Sequence, residues 1–344
     1  MPLKSYLAAF VAAITLFSLA AFFLNSRLEQ VPNIPATPLS DIETLFANTR
    51  SAATREPAKE TPQKKAAEPG YRDLEVAASR LRASLVNIIC VTPENSTIGS
   101  ISGTGVIIDQ KGFILTNAHI GQYFLLDIHH ASCRVRTGSP ATDAYRAKLV
   151  FISEAWLRKN ADALTTAKPV GTGERDFAVL AITEKVGQGG APTLFPFVPL
   201  AVAESEAETQ VIIGSYGAEF LGAAELERSL FPTITLGSVK DLFTFAKTSA
   251  DVLSLGGSAA AQEGSSGGGV VDETGLLIGL ITTSTTNTSL DKRNINALAA
   301  PYVRRAYREE TGRTIDDLIS EDPRAATAHF EKYAEPLKNL ITAH

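Results

Sequence analysis

Glu263-Gly264-Ser265-Ser266-Gly267-Gly268-Gly269 is a glycine-rich turn with hydroxyl side chains at its centre. Residues 270–281 (VVDETGLLIGLI) follow it, and their β-branched and aliphatic runs around a Glu-Thr-Gly break predict a strand, a turn and a second strand. Glycines adopt backbone angles that side chains forbid, so consecutive N–H groups of such a turn can point at one spot. A nucleophilic hydroxyl beside two such donors is the arrangement that acyl transfer requires. A flexible glycine/serine loop is the simpler interpretation, so the hypothesis depends on finding a base and an orienting acid elsewhere.

Length and composition limit the class of protein. The chain has 344 residues, of which 44% are hydrophobic, and a formal net charge of −5. This length permits a core of about 200 residues or more, together with appendages. The charge provides no basic field, so we expect no nucleic-acid partner. The two cysteines, Cys90 and Cys133, are too few for a disulfide framework or a four-ligand zinc site, and we expect no metal and no cofactor.

The N-terminus carries an uncharged apolar run at 6–24 (YLAAFVAAITLFSLAAFFL), after a short flank at 1–5. As a helix this run would span about 28 Å, close to the hydrocarbon core of a membrane. We interpret it as a transmembrane anchor, and a cleaved signal peptide ending at Ser18-Leu19-Ala20 is the alternative. Either segment sends the rest of the chain across a membrane, so we expect a single-pass protein whose folded part lies in the periplasm or at the cell exterior. Residues 25–70, with six prolines and mixed charges, predict a disordered linker.

After residue 70, short apolar runs alternate with glycine turns, a rhythm that indicates antiparallel barrels or sandwiches. Helices are predicted at 71–83, at 153–167 as an insertion, at 301–310, and in an amphipathic C-terminal tail within 311–344. Strands are predicted at 84–91, in a hairpin at 103–117, and at 123–128, 133–136, 145–152, 176–182, 197–202, 210–215, 233–240, 270–271 and 276–283.

A serine that transfers acyl groups needs a base to take its proton and a carboxylate to orient that base. Among the five histidines, His119 follows a well-formed hairpin, whereas the others lie in an adjacent pair or in the polar tail. Asp176 stands at the mouth of an otherwise apolar strand. Each has a simpler interpretation, His119 as a buried histidine and Asp176 as a residue that caps a turn. With Ser266 they occur in the order His, Asp, Ser, each in a suitable local setting.

The segments around these three residues resemble those of trypsin-like serine proteases, in particular the bacterial HtrA/Deg-type branch. They are SGTGVII at 102–108 with GFILTNAHI at 112–120, DFAVL at 176–180 and GSSGG at 264–268. The resemblance covers roughly residues 85–305. It implies an all-β core of two antiparallel β-barrels, within a protease domain at 71–310.

The resemblance also implies roles for individual residues. Ser266 would be the nucleophile, His119 the general base and later the acid, and Asp176 the residue that holds the imidazole. The oxyanion hole would be formed by the backbone N–H groups of Gly264 and Ser266, and the substrates would be polypeptides.

The substrate pocket is assigned in the same way. Thr282, Thr283 and Ser284 would form one wall, and Ala260 would lie near the base. No acid lies at the base, which disfavours a pocket for arginine or lysine and favours a small or medium apolar side chain before the cleaved bond.

The chain departs from the family in three respects. Gly269 stands where proline is usual, the insertion at 153–167 is longer than in compact HtrA-type domains, and the residues after 305 are too few for a PDZ domain. A PDZ-less, membrane-tethered relative fits these features. The sequence leaves open whether the protein forms a homo-oligomer. It also leaves open whether Cys90 and Cys133 are bridged, as an exported domain would allow, or are two buried thiols.

Two other interpretations compete with a serine endopeptidase. Gly264, Ser266 and Gly268 also satisfy the G-x-S-x-G pattern of α/β-hydrolases, but that fold needs a helix after the serine and a later Asp and His. The stronger alternative is a catalytically idle trypsin-like fold that acts as a binding or scaffolding module. The presence of all three catalytic residue types disfavours it.

Overall fold

A computed structural model of the chain describes residues 71–166, 172–187, 194–245, 249–284 and 293–342. The flank, apolar run and linker at 1–70 lie outside the described residues. Within the part of the chain that is described, no helix is long and apolar enough to cross a membrane.

The core is built from antiparallel strands. In chain order, the described strands are β1 (Leu85–Val91), β2 (Ile101–Ile107), β3 (Phe113–Thr116), β4 (Ser132–Gly138), β5 (Ala141–Ile152), β6 (Ala178–Lys185), β7 (Gln210–Ser215), β8 (Thr233–Ser238), β9 (Asp241–Phe243), β10 (Val252–Ser254), β11 (Gly269–Asp272), β12 (Leu277–Ser284) and β13 (Ile295–Ala299).

Six of these strands close a barrel in the order β1-β2-β3-β6-β5-β4. Several of its strands are buried on both faces. On β1, for example, Val86 and Ile88 belong to one buried cluster and Leu85 to the other. Side chains alternate across a strand, so one face fills the barrel while the other packs outside it. This explains the near-continuous apolar runs in the sequence.

The remaining strands form one seven-stranded sheet in the order β8-β7-β11-β12-β13-β10-β9. The all-β core is confirmed, but the expectation of two barrels is not met, since only the first set of strands closes. The short edge strand gives a physical reason. β9 has only three residues, which leaves few backbone N–H and C=O groups to pair with β8 at the other edge.

Helices flank the strands at the start, in the connections and at the C-terminus. Those described are α1 (Tyr71–Ser84), α2 (Ala118–Gly121), α3 (Glu154–Lys159), α4 (Ala223–Arg228), α5 (Ala300–Thr311), α6 (Ile315–Ser320), α7 (Pro323–Glu331) and α8 (Ala334–Thr342), with a 3₁₀ turn at Gln122–Leu125.

Three local predictions are wrong or too long. The strand expected at 123–128 begins as the 3₁₀ turn, because the chain continues out of α2 with Tyr123 and Leu125 buried. The segment 197–202 is extended but joins the sheet through the single bridge of Leu200 to Leu277. The inserted helix is restricted to α3, which Ser153 caps by accepting a hydrogen bond from the N–H of Trp156.

The C-terminal helices pack on the closed barrel. α7 lies against β5 and β6, and α8 lies against α3 and the 3₁₀ turn. Leu337 and Ile341 are buried in the same apolar cluster as Trp156. The Lys111 ammonium also donates to the carbonyl of Glu321 at 3.0 Å. The tail therefore covers the segment that directly follows His119.

Candidate active site

His119 is placed by a short helix that packs closely on the barrel. α2 begins after Asn117, whose buried amide donates to the carbonyl of Asp176 at 2.8 Å. At the other end of α2, a Cβ on Gly121 would lie 2.5 Å from the Cβ of Ala178 on β6. Only glycine permits this approach. The local sequence thus brings α2 against the start of β6, where Asp176 lies.

The carboxylate of Asp176 accepts three hydrogen bonds. Its Oδ2 lies 2.8 Å from Nδ1 of His119 and accepts from Oγ1 of Thr282, also at 2.8 Å. Its Oδ1 accepts from the backbone N–H of His119 at 3.0 Å. The Asp176 side chain is 6% exposed and that of His119 is 23% exposed. The acid is therefore buried and fixed, while the imidazole keeps one side open.

Opposing effects set the protonation of this pair. Burial alone lowers the pKa of His119, but the charge of Asp176 and the hydrogen bond to it outweigh burial, so the pKa is raised above 6.5. Burial raises the pKa of Asp176, but His119, through its charge and hydrogen bonds, and the Thr282 hydroxyl together lower it. The carboxylate therefore stays ionised and strengthens the imidazole as a base.

Arg175, immediately before the acid, was missed by sequence reasoning. Its backbone lies in the left-handed region, with φ of 58°, which is uncommon for a residue with a side chain. The Tyr302 hydroxyl accepts from its N–H at 3.0 Å, and its guanidinium donates to Glu310 at 2.8 Å and Glu309 at 2.7 Å. α5 thus holds the turn that aims Asp176. A basic residue directly before the predicted acid was the available signal.

The two serines of the glycine-rich turn differ in exposure. Ser265 is 2% exposed, and its Oγ accepts from Oγ of Ser215 at 3.1 Å. Ser266 is only partly buried. A hydroxyl that attacks a substrate must be accessible, which favours Ser266 over Ser265.

The turn is seated against the barrel that carries His119. The carbonyl of Ser266 accepts from the N–H of Thr104 on β2 at 2.8 Å. A Cβ on Gly103 would lie 3.5 Å from that same carbonyl and 2.3 Å from Cδ1 of Ile120. Gly103 thus contacts both the residue after His119 and the carbonyl of Ser266. Next to it, the N–H of Gly267 donates to the carbonyl of Ile281, which precedes Thr282.

The peptide planes around Gly264 and Ser266 are fixed by their carbonyls. The carbonyl of Glu263 accepts from the N–H of Ala218 at 2.7 Å, and that of Ser265 accepts from Gly268 at 2.9 Å. In a trans peptide the N–H points opposite to the C=O. Within the described residues, the N–H groups of Gly264 and Ser266 have no acceptor. The N–H of Gly264 thus points away from Ala218 and that of Ser266 away from Gly268, and both donors are available to a ligand.

The residues predicted for the substrate pocket lie in different settings. Ala260 is buried, and Thr282 directs its hydroxyl to Asp176. Thr283 and Ser284 continue β12, and their side chains lie outside the described set. Beside Ala260, the guanidinium of Arg293 donates to the carbonyl of Ala261 at 2.9 Å and pairs with Glu219. Sequence reasoning missed this ion pair.

Cys90 and Cys133 are joined by a disulfide with an S–S distance of 2.08 Å. They are partners in the register of β1 and β4. The bridge therefore links two neighbouring strands of the barrel.

Comparison of the sequence with known protein families identifies the family to which the chain belongs. The model of the trypsin-like peptidase domain matches residues 103–280, just over half of the chain. No curated protein matches. Among solved structures, the active form of the Rv3671c protease from M. tuberculosis matches with 18% identity and a TM-score of 0.43, over 76% of this chain and 96% of that one. The inactive form matches with 16% identity and a TM-score of 0.43, over 72% and 98%.

Proposed function

The chain belongs to the trypsin-like peptidase family, and on that premise we propose that it is a serine endopeptidase that cleaves polypeptides through an acyl-enzyme on Ser266. The single observation that carries the proposal is the contact between Nδ1 of His119 and Oδ2 of the buried Asp176 at 2.8 Å. It leaves Nε2 of the imidazole as the base. A structural histidine would not need a buried carboxylate that is itself held by further donors.

In the proposed reaction, Oγ of Ser266 attacks the substrate carbonyl carbon while Nε2 of His119 takes the hydroxyl proton. Asp176 stabilises the imidazolium through Nδ1. When the tetrahedral intermediate collapses, the C–N bond breaks and His119 returns the proton to the leaving amine. The acyl group is now an ester on Oγ of Ser266. Water attacks this ester while Nε2 of His119 takes a proton from the water, and the ester C–O bond then breaks as His119 returns the proton to Oγ. The carboxylic acid product leaves and the serine is regenerated.

The oxyanion of each tetrahedral intermediate would be bound by the N–H groups of Gly264 and Ser266. Their availability and the hydrogen bonds that fix both peptide planes support this assignment. Donors that are fixed before the reaction cost no reorganisation when charge develops, which is why such sites contribute strongly to catalysis.

Substrate preference follows from the pocket assignment. Ala260 offers neither charge nor bulk, so we infer a small or medium apolar side chain before the cleaved bond, with Thr282, Thr283 and Ser284 along one wall. Arg293, the nearby cation, is paired with Glu219, so its charge is balanced by that partner.

We infer that the catalytic domain works outside the cytoplasm of a bacterial cell, tethered through residues 6–24. The apolar run supports this placement. So does the Cys90–Cys133 disulfide, since such bonds persist in oxidising compartments. A protease-accessibility assay on intact cells tests it, and a catalytic domain found in the cytosol would overturn it.

Labelling with a fluorophosphonate tests the chemistry. We expect the purified protein to be labelled, Ser266→Ala to lose the label, and Ser265→Ala, a matched control in the same turn, to be labelled if it folds. His119→Ala should lose both labelling and peptide hydrolysis. Labelling that survives Ser266→Ala would refute the nucleophile. If the folded wild type is neither labelled nor active, the idle binding module becomes the better interpretation.

A further inference from the structure

We propose that Thr104 is a positioning residue for the two oxyanion-binding N–H groups, because from the closed barrel it holds the peptide that lies between them. The inference rests on the proposed function, because its consequence for catalysis requires that Gly264 and Ser266 bind the oxyanion. Thr104 lies on β2 and is fully buried. It belongs to no part of the triad.

The hydroxyl of Thr104 joins two segments of the other sheet. Its Oγ1 donates to the carbonyl of Gly264 at 2.8 Å and accepts from the N–H of Tyr216 at 2.9 Å. Gly264 has φ of +90°, a region in which glycine meets little steric restriction. Sterics alone therefore do not hold this peptide. Thr104 restrains its carbonyl, and at its other end the N–H of Ser265 donates to the carbonyl of Gln262 at 3.1 Å.

Tyr216 extends the restraint to the peptide before Gly264. Two residues after Tyr216, the N–H of Ala218 holds the carbonyl of Glu263. One hydroxyl thus fixes Gly264 directly and steadies the segment that orients its N–H group. Loss of the hydroxyl would remove the direct hydrogen bond to Gly264 and the support of Tyr216 together.

The backbone of Thr104 is itself held, so the hydroxyl acts from a rigid support. Its N–H donates to the carbonyl of Ser266 at 2.8 Å, and its carbonyl accepts from Oγ1 of Thr116 at 2.7 Å. Thr116 is three residues before His119. The same residue therefore connects the backbone of Ser266, the peptide between the two oxyanion-binding N–H groups and the strand that leads to His119.

The decisive comparison is between Thr104→Val and Thr104→Ser. Valine keeps the shape but has neither donor nor acceptor, whereas serine keeps the hydroxyl. We expect Thr104→Val to lower kcat about 100-fold with KM changed less than about threefold, as expected when an oxyanion donor is misplaced. Thr104→Ser should stay within about threefold of wild type. A merely structural role would make both variants follow the loss of fold.

Further readouts keep the inference testable in every case. If Thr104→Val does not fold, Thr104→Cys, with its weak donor and acceptor, should fold and show an intermediate kcat. A crystal structure of the folded variant reports independently of turnover, and we expect a displaced Gly264 carbonyl.

An unchanged turn, a wild-type kcat in Thr104→Val, or a serine variant as impaired as the valine one would overturn the inference. A wild type with no more turnover than Ser266→Ala would instead refute the proposed function, and the crystal structure would still decide the role of Thr104.

Discussion

Gly267 offers the sharpest test of how the serine turn is packed. Its φ is +81°, and a Cβ there would lie 1.9 Å from the carbonyl oxygen of Thr104 and 2.6 Å from Oγ1 of Thr116. A left-handed backbone costs an L side chain about 1–2 kcal/mol. Forcing a methyl group into a packed site costs about 1–3 kcal/mol more. We therefore expect Gly267→Ala to lower the free energy of unfolding by about 2–5 kcal/mol.

Neither contacted group can retreat easily. Oγ1 of Thr116 donates to the carbonyl of Thr104, and the N–H of Thr104 is bonded to Ser266. The turn must move instead, and Ser266 moves with it. Because a misplacement of about 1 Å can cost about 10²-fold in rate, we expect kcat/KM for peptide hydrolysis to fall at least that far.

Gly312→Ala is the matched control. Gly312 also has a positive φ, +71°, but a Cβ there would meet nothing within 4 Å. Gly312→Ala should lower the free energy of unfolding only by the cost of the left-handed backbone, about 1–2 kcal/mol, and should keep full activity. Urea unfolding and a peptide assay measure both quantities. If the two variants are equally destabilised and Gly267→Ala keeps wild-type kcat/KM, the close packing of the turn is refuted.

Three further predictions follow from the pKa shift, the disulfide and the tail. The pKa of His119 is raised because Asp176 outweighs burial, so protonation of His119 stabilises the fold fully below about pH 6.5 and this contribution is lost as pH rises through the folded pKa. The excess stability of wild type over His119→Gln should therefore shrink as the pH rises from about 6.5 through the raised pKa of His119. Cys90 and Cys133 are 43 positions apart, so replacing both by serine should cost up to about 4 kcal/mol in urea unfolding. Leu337 is 8% exposed and belongs to the same buried cluster as Trp156. Leu337→Ala should therefore lower the free energy of unfolding by about 2–5 kcal/mol.

Each of these has its own control. Asp176→Asn removes the charge that raises the pKa of His119, and in that background the effect of His119→Gln should no longer shrink as the pH rises. Wild type treated with a reductant should reproduce the stability of the double serine variant. Tyr333, 60% exposed on the same tail, should change stability by about 0.5 kcal/mol or less when replaced by alanine. A pH-independent difference, an unaffected double variant, or equal effects of the two tail substitutions would each contradict the corresponding prediction.

Local sequence patterns predicted much of the fold. The β-rich core, the first helix at 71–84 and membership of the trypsin-like peptidase family are confirmed. These follow from apolar alternation and from motifs that depend on a few adjacent residues. The strand expected at 123–128 failed because a β-like composition was overridden by packing after α2. The triad itself stays a prediction, now with the geometry of His119 and Asp176 in its support.

The sequence by itself determined which residues are proposed to supply the chemistry. A hydroxyl within a glycine turn, a histidine after a hairpin and an acid before an apolar strand are all features of short segments, and short segments carry their own propensities and turn angles.

Only the tertiary structure decided what surrounds them. Arg175 meets α5, more than a hundred residues away, and Thr104 meets Gly264 across the two sheets. Closure of one set of strands and not the other was decided in the same way. Such contacts depend on how whole strands and helices pack, and no local pattern encodes the partner.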